Sequence, residues 1–314
     1  MTKNTILAIL KKNNDYISGE KISKELNISR AAVNLSIKNL RKEGYNILSS
    51  TNKGYKLNND PDLLNKGEFI NILGTNIKRV IVLESVDSTN NYLKKLALEK
   101  AKDGQIVVAN EQTKGRGRMG RDFICSKGKG IYLSYLIRPN ITLANIIGIT
   151  AWASVAVCNA IEKVYGIYPK IKWVNDILLN DKKISGILTE AVVEDNDMKY
   201  MIIGIGINVN EESFPDEIKN IASSLYLETN KKINRIILID ELIKQLDIMN
   251  KKWPNDEEYY NKYINNSIVL NNEIRVIKGN HEIEAKVISI DKDFALVLED
   301  GNRINSGEIS IRKK

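Results

Sequence analysis

Apolar positions in the first part of the chain recur at helical spacing. Ile6, Leu7, Ile9 and Leu10 predict a helix over residues 3–13. Ser18-Gly19-Glu20 opens a second helix over 21–26, and Asn27-Ile28 turns out of it. Ser29 can cap a third helix over 30–43, because its hydroxyl accepts from a free amide of the first turn. Within that helix Val33, Ile37 and Leu40 fall at i, i+4 and i+7 and form one buried stripe. Arg30, Asn34, Lys38 and Arg41 face the other way. Gly44 stops the helix, and residues 45–49 and 54–57 alternate as two strands around Thr51-Asn52-Lys53. The pattern is a winged helix-turn-helix, whose third helix is expected in a DNA major groove with the wing lysines near phosphate.

Asn58-Asn59-Asp60-Pro61 is a turn-rich break. Beyond it the period switches repeatedly between two and 3.6. Strands are predicted at 80–83, 105–109, 131–137, 171–173, 176–179, 184–193 and 200–207, and helices at 90–98, 144–164 and 235–253. Strands outnumber helices and Asn180-Asp181 reads as a hairpin turn, so the expectation is a mixed sheet backed by helices. From 269 onward short strands at 273–277, 282–290, 295–298 and 307–311 predict a small β-barrel. The fold class expected is therefore α+β, with domains at 1–60, 63–268 and 269–314.

Composition narrows the chemistry. Two cysteines, Cys125 and Cys158, give neither a disulfide framework nor a zinc pattern, which suits a reducing, cytoplasmic setting. His281 is the only histidine, which argues against Ser-His-Asp or Cys-His catalysis and against a histidine-bound metal. The longest apolar run, 146–161, falls short of the roughly 20 residues a membrane span needs and holds Ser154 and Asn159, so it reads as a core helix. The net charge of +8 is concentrated in residues 1–57, where eleven Lys/Arg face four Asp/Glu. That is the distribution expected of a segment that meets a polyanion.

Two segments carry candidate chemistry. Lys114-Gly115-Arg116-Gly117-Arg118-Met119-Gly120-Arg121 packs four cations and three glycines into eight residues. Glycine permits close backbone approach and the guanidinium fork matches phosphate and carboxylate oxygens, so this is an anion-gripping loop. Its Gly-x-Gly-x-x-Gly spacing is not a dinucleotide fingerprint, because a strand rather than a helix follows it. Gly204 and Gly206 form a second Gly-x-Gly inside an apolar run and read as buried strand. The other segment runs from Lys172-Trp173-Val174-Asn175-Asp176 through the Asn180-Asp181 turn to Lys183-Ile184-Ser185-Gly186-Ile187. Across a hairpin, its carboxylate, amide and lysine would face one pocket, a set suited to phosphoanhydride chemistry with a metal.

Asp87-Ser88-Thr89-Asn90, the 115–121 loop, Lys172-Trp173-x-Asn175-Asp176 and Lys183-x-x-Gly186-Ile187 resemble, in order, the motifs of biotin protein ligases. With a winged helix in front, the whole chain is similar to the bifunctional ligases that also repress biotin-synthesis and uptake genes. The resemblance implies a central domain like those of biotin ligases and class II aminoacyl-tRNA synthetases, and an SH3-like barrel at the end. It implies that biotin and ATP form biotinyl-5'-AMP, which then acylates a lysine of a biotin carboxyl carrier domain. Catalysis would rest on Lys183, Arg118 and Asp176. Biotin would be held by Ser88, Thr89, Asn90, Gln112, Arg116, Gly117, Arg118 and Lys183. ATP would meet Gly115, Arg118, Arg121, Lys172, Asn175 and Asn208, with Mg2+ at Asp176. Operator DNA would meet Ser29, Arg30, Asn34, Lys38 and Lys53.

Three positions depart from the resemblance. Phe123 stands where a tryptophan is usual, Val174 where a proline is usual, and Leu35-Ser36 where recognition helices of related repressors carry basic or aromatic residues. Regulation would follow if the Gly/Arg loop ordered around the adenylate and an exposed strand near 202–209 then paired two protomers into a homodimer. A ligand-sensing regulator without ligase activity and a lipoate ligase-like enzyme are the alternative readings; retained Lys183, Arg118 and Asp176 speak against the first, the paired Gly-Arg loop and winged helix against the second.

Overall fold

The computed structural model describes residues 2–59, 62–139, 146–194, 197–278, 281–305 and 308–311. Its contacts divide the chain into two compact units, 1–78 and 79–314.

The first unit contains α1 (Thr2–Lys12), α2 (Gly19–Leu26), α3 (Arg30–Lys42), β1 (Asn46–Ser50), β2 (Gly54–Asn59) and α4 (Lys66–Leu73). Ile6, Leu7, Leu10, Ile22, Val33, Ile37 and Leu40 are buried together, so the predicted stripes meet in one core. Ser18 and Ser29 cap α2 and α3 by accepting from the amides of Lys21 and Ala32, both at 3.1 Å. Asn27, at φ 51°, makes the left-handed turn between them. Gly54 sits at φ +101°, and a Cβ there would lie 2.1 Å from the Ile17 carbonyl oxygen. No larger residue fits where the wing touches the start of the helical pair.

The sequence reading passed over α4, although Phe69, Ile70, Ile72 and Leu73 make half of its residues apolar. Tertiary contacts hold it: Glu68 is buried, accepts from the Tyr45 hydroxyl at 2.6 Å and pairs with Lys11. Residues 60 and 61 of the predicted break, 144 and 145 of a predicted helix, and 307 of a predicted strand lie outside the described residues.

The second unit is built on β3 (Val80–Leu83), α5 (Thr89–Leu98), β4 (Ile106–Ala109), β5 (Ile131–Ile137), α6 (Ile146–Tyr165), β6 (Lys170–Lys172), β7 (Asp176–Leu179), β8 (Lys182–Glu194), β9 (Asp197–Ile207), α7 (Leu225–Thr229), α8 (Arg235–Lys252) and α9 (Glu257–Asn266). The seven strands form one sheet in the order β3-β4-β5-β9-β8-β7-β6. Only β3 and β4 run parallel, so the sheet is mixed as expected. Side chains alternate between its faces. On one face α5 packs Leu93 and Ala97 against Val107, Leu136 and Ile202. On the other, Tyr135 donates to Asp247 of α8 at 2.8 Å and Thr189 meets Thr150 of α6 at 2.8 Å. Trp152 of α6 stacks on Tyr259 of α9, with ring centroids 4.6 Å apart. The long helices thus cover one face, and the face under α5 keeps room for a site.

One expectation is overturned here. The strand near 202–209 was expected at an exposed edge, free to pair with a second protomer. Most of it is β9, which is bonded on one side to β5 and on the other to β8. Its hydrogen-bonding groups are used within the sheet, whose edges are β3 and β6.

The chain closes with β10 (Glu273–Lys278), β11 (His281–Ile290), β12 (Leu296–Leu298), β13 (Arg303–Ile304) and β14 (Glu308–Ile311) in an antiparallel sheet, β13-β12-β11-β10-β14. No ladder joins β13 to β14 among the described residues, so an antiparallel sheet stands where a barrel was expected. This sheet is tied to the larger one, since the Trp173 indole donates to the Phe294 carbonyl at 2.7 Å. No helix of the described residues is long and apolar enough to cross a membrane.

Candidate active site

Strand register builds the site. Lys172 lies opposite Asp176, Asp176 opposite Gly186, Gly186 opposite Gly206, and Gly206 opposite Tyr132. Residues directly across a ladder share a face. Two residues further along the same face, Leu188, Gly204 and Ser134 form the next row. One face therefore runs from a charged end, over three positions without side chains, to hydroxyl groups. A Cβ on Gly204 would lie 2.4 Å from Asn90 Oδ1, and one on Gly206 2.6 Å from the Phe123 ring. The floor must be bare backbone. The apolar context that made 204–206 read as plain strand concealed this, and the signal was the glycine pair itself.

Above that floor lies a cavity of about 600 Å³. The Gly/Arg loop folds over it as a narrow hairpin: the backbones of Arg116 and Asp122 pair antiparallel, the Gly117 amide donates to the Arg121 carbonyl at 2.7 Å, and the Phe123 amide to the Gly115 carbonyl at 3.0 Å. Arg116, Gly117, Arg118 and Arg121 line the cavity. Gly115 stands outside the lining. It is buried where a Cβ would fall 2.5 Å from both Cys125 Sγ and the Phe123 carbonyl oxygen, so it lets the hairpin close.

At one end of the cavity a polar chain is fixed in place. The amide and hydroxyl of Thr89 both donate to Gln112 Oε1, at 2.7 and 2.9 Å. Ser134 Oγ lies 2.8 Å from Thr89 Oγ1 and 2.6 Å from Asn90 Oδ1, and Asn90 donates to Glu190 at 2.6 Å. Ser88 precedes α5 without its side chain capping the helix. Ser134 is a site-supporting residue that sequence reading missed; its signal was a lone serine among the aliphatic and aromatic residues of strand 131–137.

The other end is charged. Lys183 Nζ lies 2.6 Å from Asp176 Oδ1, and Arg118 donates to Asn175 Oδ1 at 2.9 Å. Asn175 in turn donates to the Ile187 carbonyl at 3.1 Å, and Asn208 to the Ser223 carbonyl at 3.0 Å. The expected catalytic residues Lys183, Arg118 and Asp176 share one cavity, with Lys172, Asn175 and Asn208 beside them. Backbone bonds from the Lys183 amide to the Ile221 carbonyl (2.8 Å) and from the Ser223 amide to the Lys183 carbonyl (2.9 Å) draw the 212–222 segment over the mouth. There Phe214, Ile218, Ile221 and Ala222 add an apolar shelf. No motif marks that segment, and the sequence reading passed over it. Two cations, a carboxylate and oriented amides beside a polar clamp suit a reaction that joins one anion to another.

Behind the site Glu211 is 3% exposed. Neither carboxylate oxygen makes a well-formed hydrogen bond to the described residues. Burial pushes its pKa up to about 7, against a weaker pull from the Glu211 and Val209 amides, Arg235 and Lys129. The folded state holds this proton more tightly than the unfolded chain, so the contribution is present at pH 4 and is lost as pH rises through 7. Glu211→Gln should remove that slope and raise the melting temperature at pH 8, by on the order of 3 kcal/mol of stability at most. Thermal melts of both proteins between pH 5 and 8 check it; parallel curves would refute it.

In the first unit Ser29, Arg30, Asn34, Lys38 and Lys53 are all exposed. Arg41, expected on the same face, is instead bonded to the Ile47 carbonyl at 2.9 and 2.5 Å and to Ser49 at 2.5 Å, which clamps α3 to the wing.

Comparison with known proteins agrees with this layout. The Biotin/lipoate A/B protein ligase family matches residues 82–208, and an HTH domain matches residues 2–56. The bifunctional ligase/repressor BirA of Bacillus subtilis is 36% identical over 313 residues, covering 97% of this chain and 95% of the relative. Its namesake from Escherichia coli is 31% identical over 320 residues, covering 99% of each. Among solved structures, the biotin protein ligase from Aquifex aeolicus in complex with biotin and ATP superimposes with a TM-score of 0.66 at 32% identity, over 75% of this chain and 99% of that one.

Proposed function

The chain belongs to the family of bifunctional biotin ligase/repressor proteins, and from that premise we propose how its own residues divide the work. The protein is a biotin–[acetyl-CoA-carboxylase] ligase joined to a DNA-binding repressor domain. Its substrates are biotin and ATP. The observation that carries the site assignment is the meeting of Lys183, Asp176 and Arg118 in one cavity.

In the first step an oxygen of the biotin carboxylate attacks the α-phosphorus of ATP. A new P–O bond forms, the bond to the β-phosphate oxygen breaks, and pyrophosphate leaves. Both reactants are anions, so the barrier contains their mutual repulsion. Lys183 holds the biotin carboxylate and Arg118 the α-phosphate, while Arg121, Lys172, Asn175 and Asn208 receive the rest of the nucleotide. Gly115 contributes by letting the arginine hairpin close. Ser88, Thr89, Asn90, Gln112, Arg116 and the Gly117 backbone receive the ureido end, and the Phe123 ring covers the glycine floor. In the second step the lysine amine of a biotin carrier domain attacks the acyl carbon, AMP leaves, and the nitrogen loses its proton.

The donor set suits a magnesium ion that arrives with the nucleotide. Asp176 supplies one carboxylate, and no group of three or more metal-binding side chains occurs among the described residues. Bound at Asp176, Mg2+ would neutralise phosphate charge during the displacement.

The DNA-binding work falls to residues 1–60, catalysis to 63–268, and the 269–314 sheet supports the latter through Trp173. Adenylate-bound protomers pair as a homodimer, so that two winged helices meet two operator half-sites; β9 takes no part in that pairing. The reaction is placed in the cytoplasm, which suits the unpaired Cys125 and Cys158. The test is transfer of labelled biotin or labelled lipoate to a purified carrier domain with ATP. Transfer of biotin alone supports the reading; transfer of lipoate, or of neither, ends it.

A further inference from the structure

The cationic face of α3 holds one residue whose placement the DNA-binding reading leaves unexplained. Leu35 is 60% exposed, the most exposed large apolar side chain among the described residues of the first unit. Helical geometry puts it directly across from the buried Val33, Ile37 and Leu40. Ala31 precedes it by one turn on the same face and is exposed too. Lys38 and Lys42 flank the pair, with Asn34 one position before it, all of them exposed. An apolar spot this small, flanked by two lysines, lacks the area a protein partner needs to dock. It matches one feature of DNA: the thymine C5-methyl group, the apolar element of the major-groove code.

We propose that Leu35, with the Ala31 methyl beside it, is a specificity-determining residue that reads thymine methyl groups in each operator half-site. The proposal rests on the DNA-binding reading of the first unit. Lys38, Lys42 and Lys53 hold phosphate and set the register, carrying no sequence information. Discrimination comes from Leu35, because cytosine and uracil offer no methyl group at that height in the groove.

Duplexes would be selected from a random pool by the full-length protein with biotin and ATP present. In an enriched duplex each thymine is then replaced by uracil, which removes the methyl group and leaves base pairing intact. Wild-type protein should lose about fourfold in affinity at one or more positions per half-site, the value of one buried methyl group. Leu35→Ala should bind the thymine and uracil versions alike and transfer biotin at the wild-type rate. Lys53→Gln, as the phosphate control, should weaken every duplex equally and lower the salt dependence. Enrichment of duplexes indifferent to uracil overturns the proposal alone. Failure of any duplex to enrich overturns the DNA-binding reading as well. A change in self-association of DNA-free Leu35→Ala would assign the spot to a second copy of the chain and overturn it too.

Discussion

Lys183→Ala should lower biotin-dependent exchange of pyrophosphate into ATP by about a thousandfold, the upper range for loss of one transition-state charge donor. The ammonium sits 2.6 Å from Asp176, across the β7–β8 hairpin. Removing it does two things at once. On the proposed assignment the carboxylate of biotin would lose its counter-charge, and Asp176 would be left as an uncompensated anion beside the place where two further anions meet. Both effects raise the barrier to bond formation more than they weaken nucleotide binding, so kcat should fall far more than KM for ATP rises. The side chain is about one-third exposed and its loss opens no core cavity, so the variant should melt close to the parent. Exchange within tenfold of wild type, in a protein of unchanged melting temperature, would remove Lys183 from the chemistry. Lys183→Ala combined with Asp176→Asn offers a second reading: if repulsion from the orphaned carboxylate matters, the double variant should be faster than the single one.

Arg118→Gly should have the opposite character, a loss of containment more than of synthesis. Arg118 ties the Gly/Arg hairpin to Asn175 at 2.9 Å, and Asn175 is anchored to the sheet through the Ile187 carbonyl. Glycine removes that tether and adds backbone freedom to a hairpin already rich in glycine. The mixed anhydride formed in the site would then escape before a carrier lysine arrives. Exchange should fall by about tenfold or less, while labelling of a bystander protein such as serum albumin should rise by at least tenfold. Arg118→Lys keeps the charge but loses the planar fork, and should fall between the two. Bystander labelling no higher than wild type would show that the hairpin does not retain the intermediate.

Much of this molecule could be read before its fold was known, for an identifiable reason. Strands such as 80–83, 131–137 and 176–179 are short, largely apolar runs bounded by their own turn residues, so local pattern decides them. The charged half of the cavity was legible because Arg118 stands in a dense Gly/Arg run, and Asp176 and Lys183 flank one short turn. What sequence concealed depends on pairing. Whether 202–209 lies at an edge or in the middle of a sheet is set by β5 and β8, distant in the chain, and periodicity holds no information about that. The same partners turn Gly204 and Gly206 from ordinary strand residues into the floor of a cavity. Helix α4 was missed because it is only two turns long; Tyr45 and Lys11 hold it through Glu68. Ser134 and the 212–222 segment escaped notice because neither carries a recognisable motif.

The glycine floor also bears on inhibition. A compound lying flat on residues 186, 204 and 206 would touch main chain, which mutation does not alter. Any substitution there must add at least a methyl group, and that group would intrude on Asn90, Phe123 or Lys183 and so on the enzyme's own substrate. Resistance to such a compound would have to arise elsewhere, most readily in the loop above or in the amount of protein made.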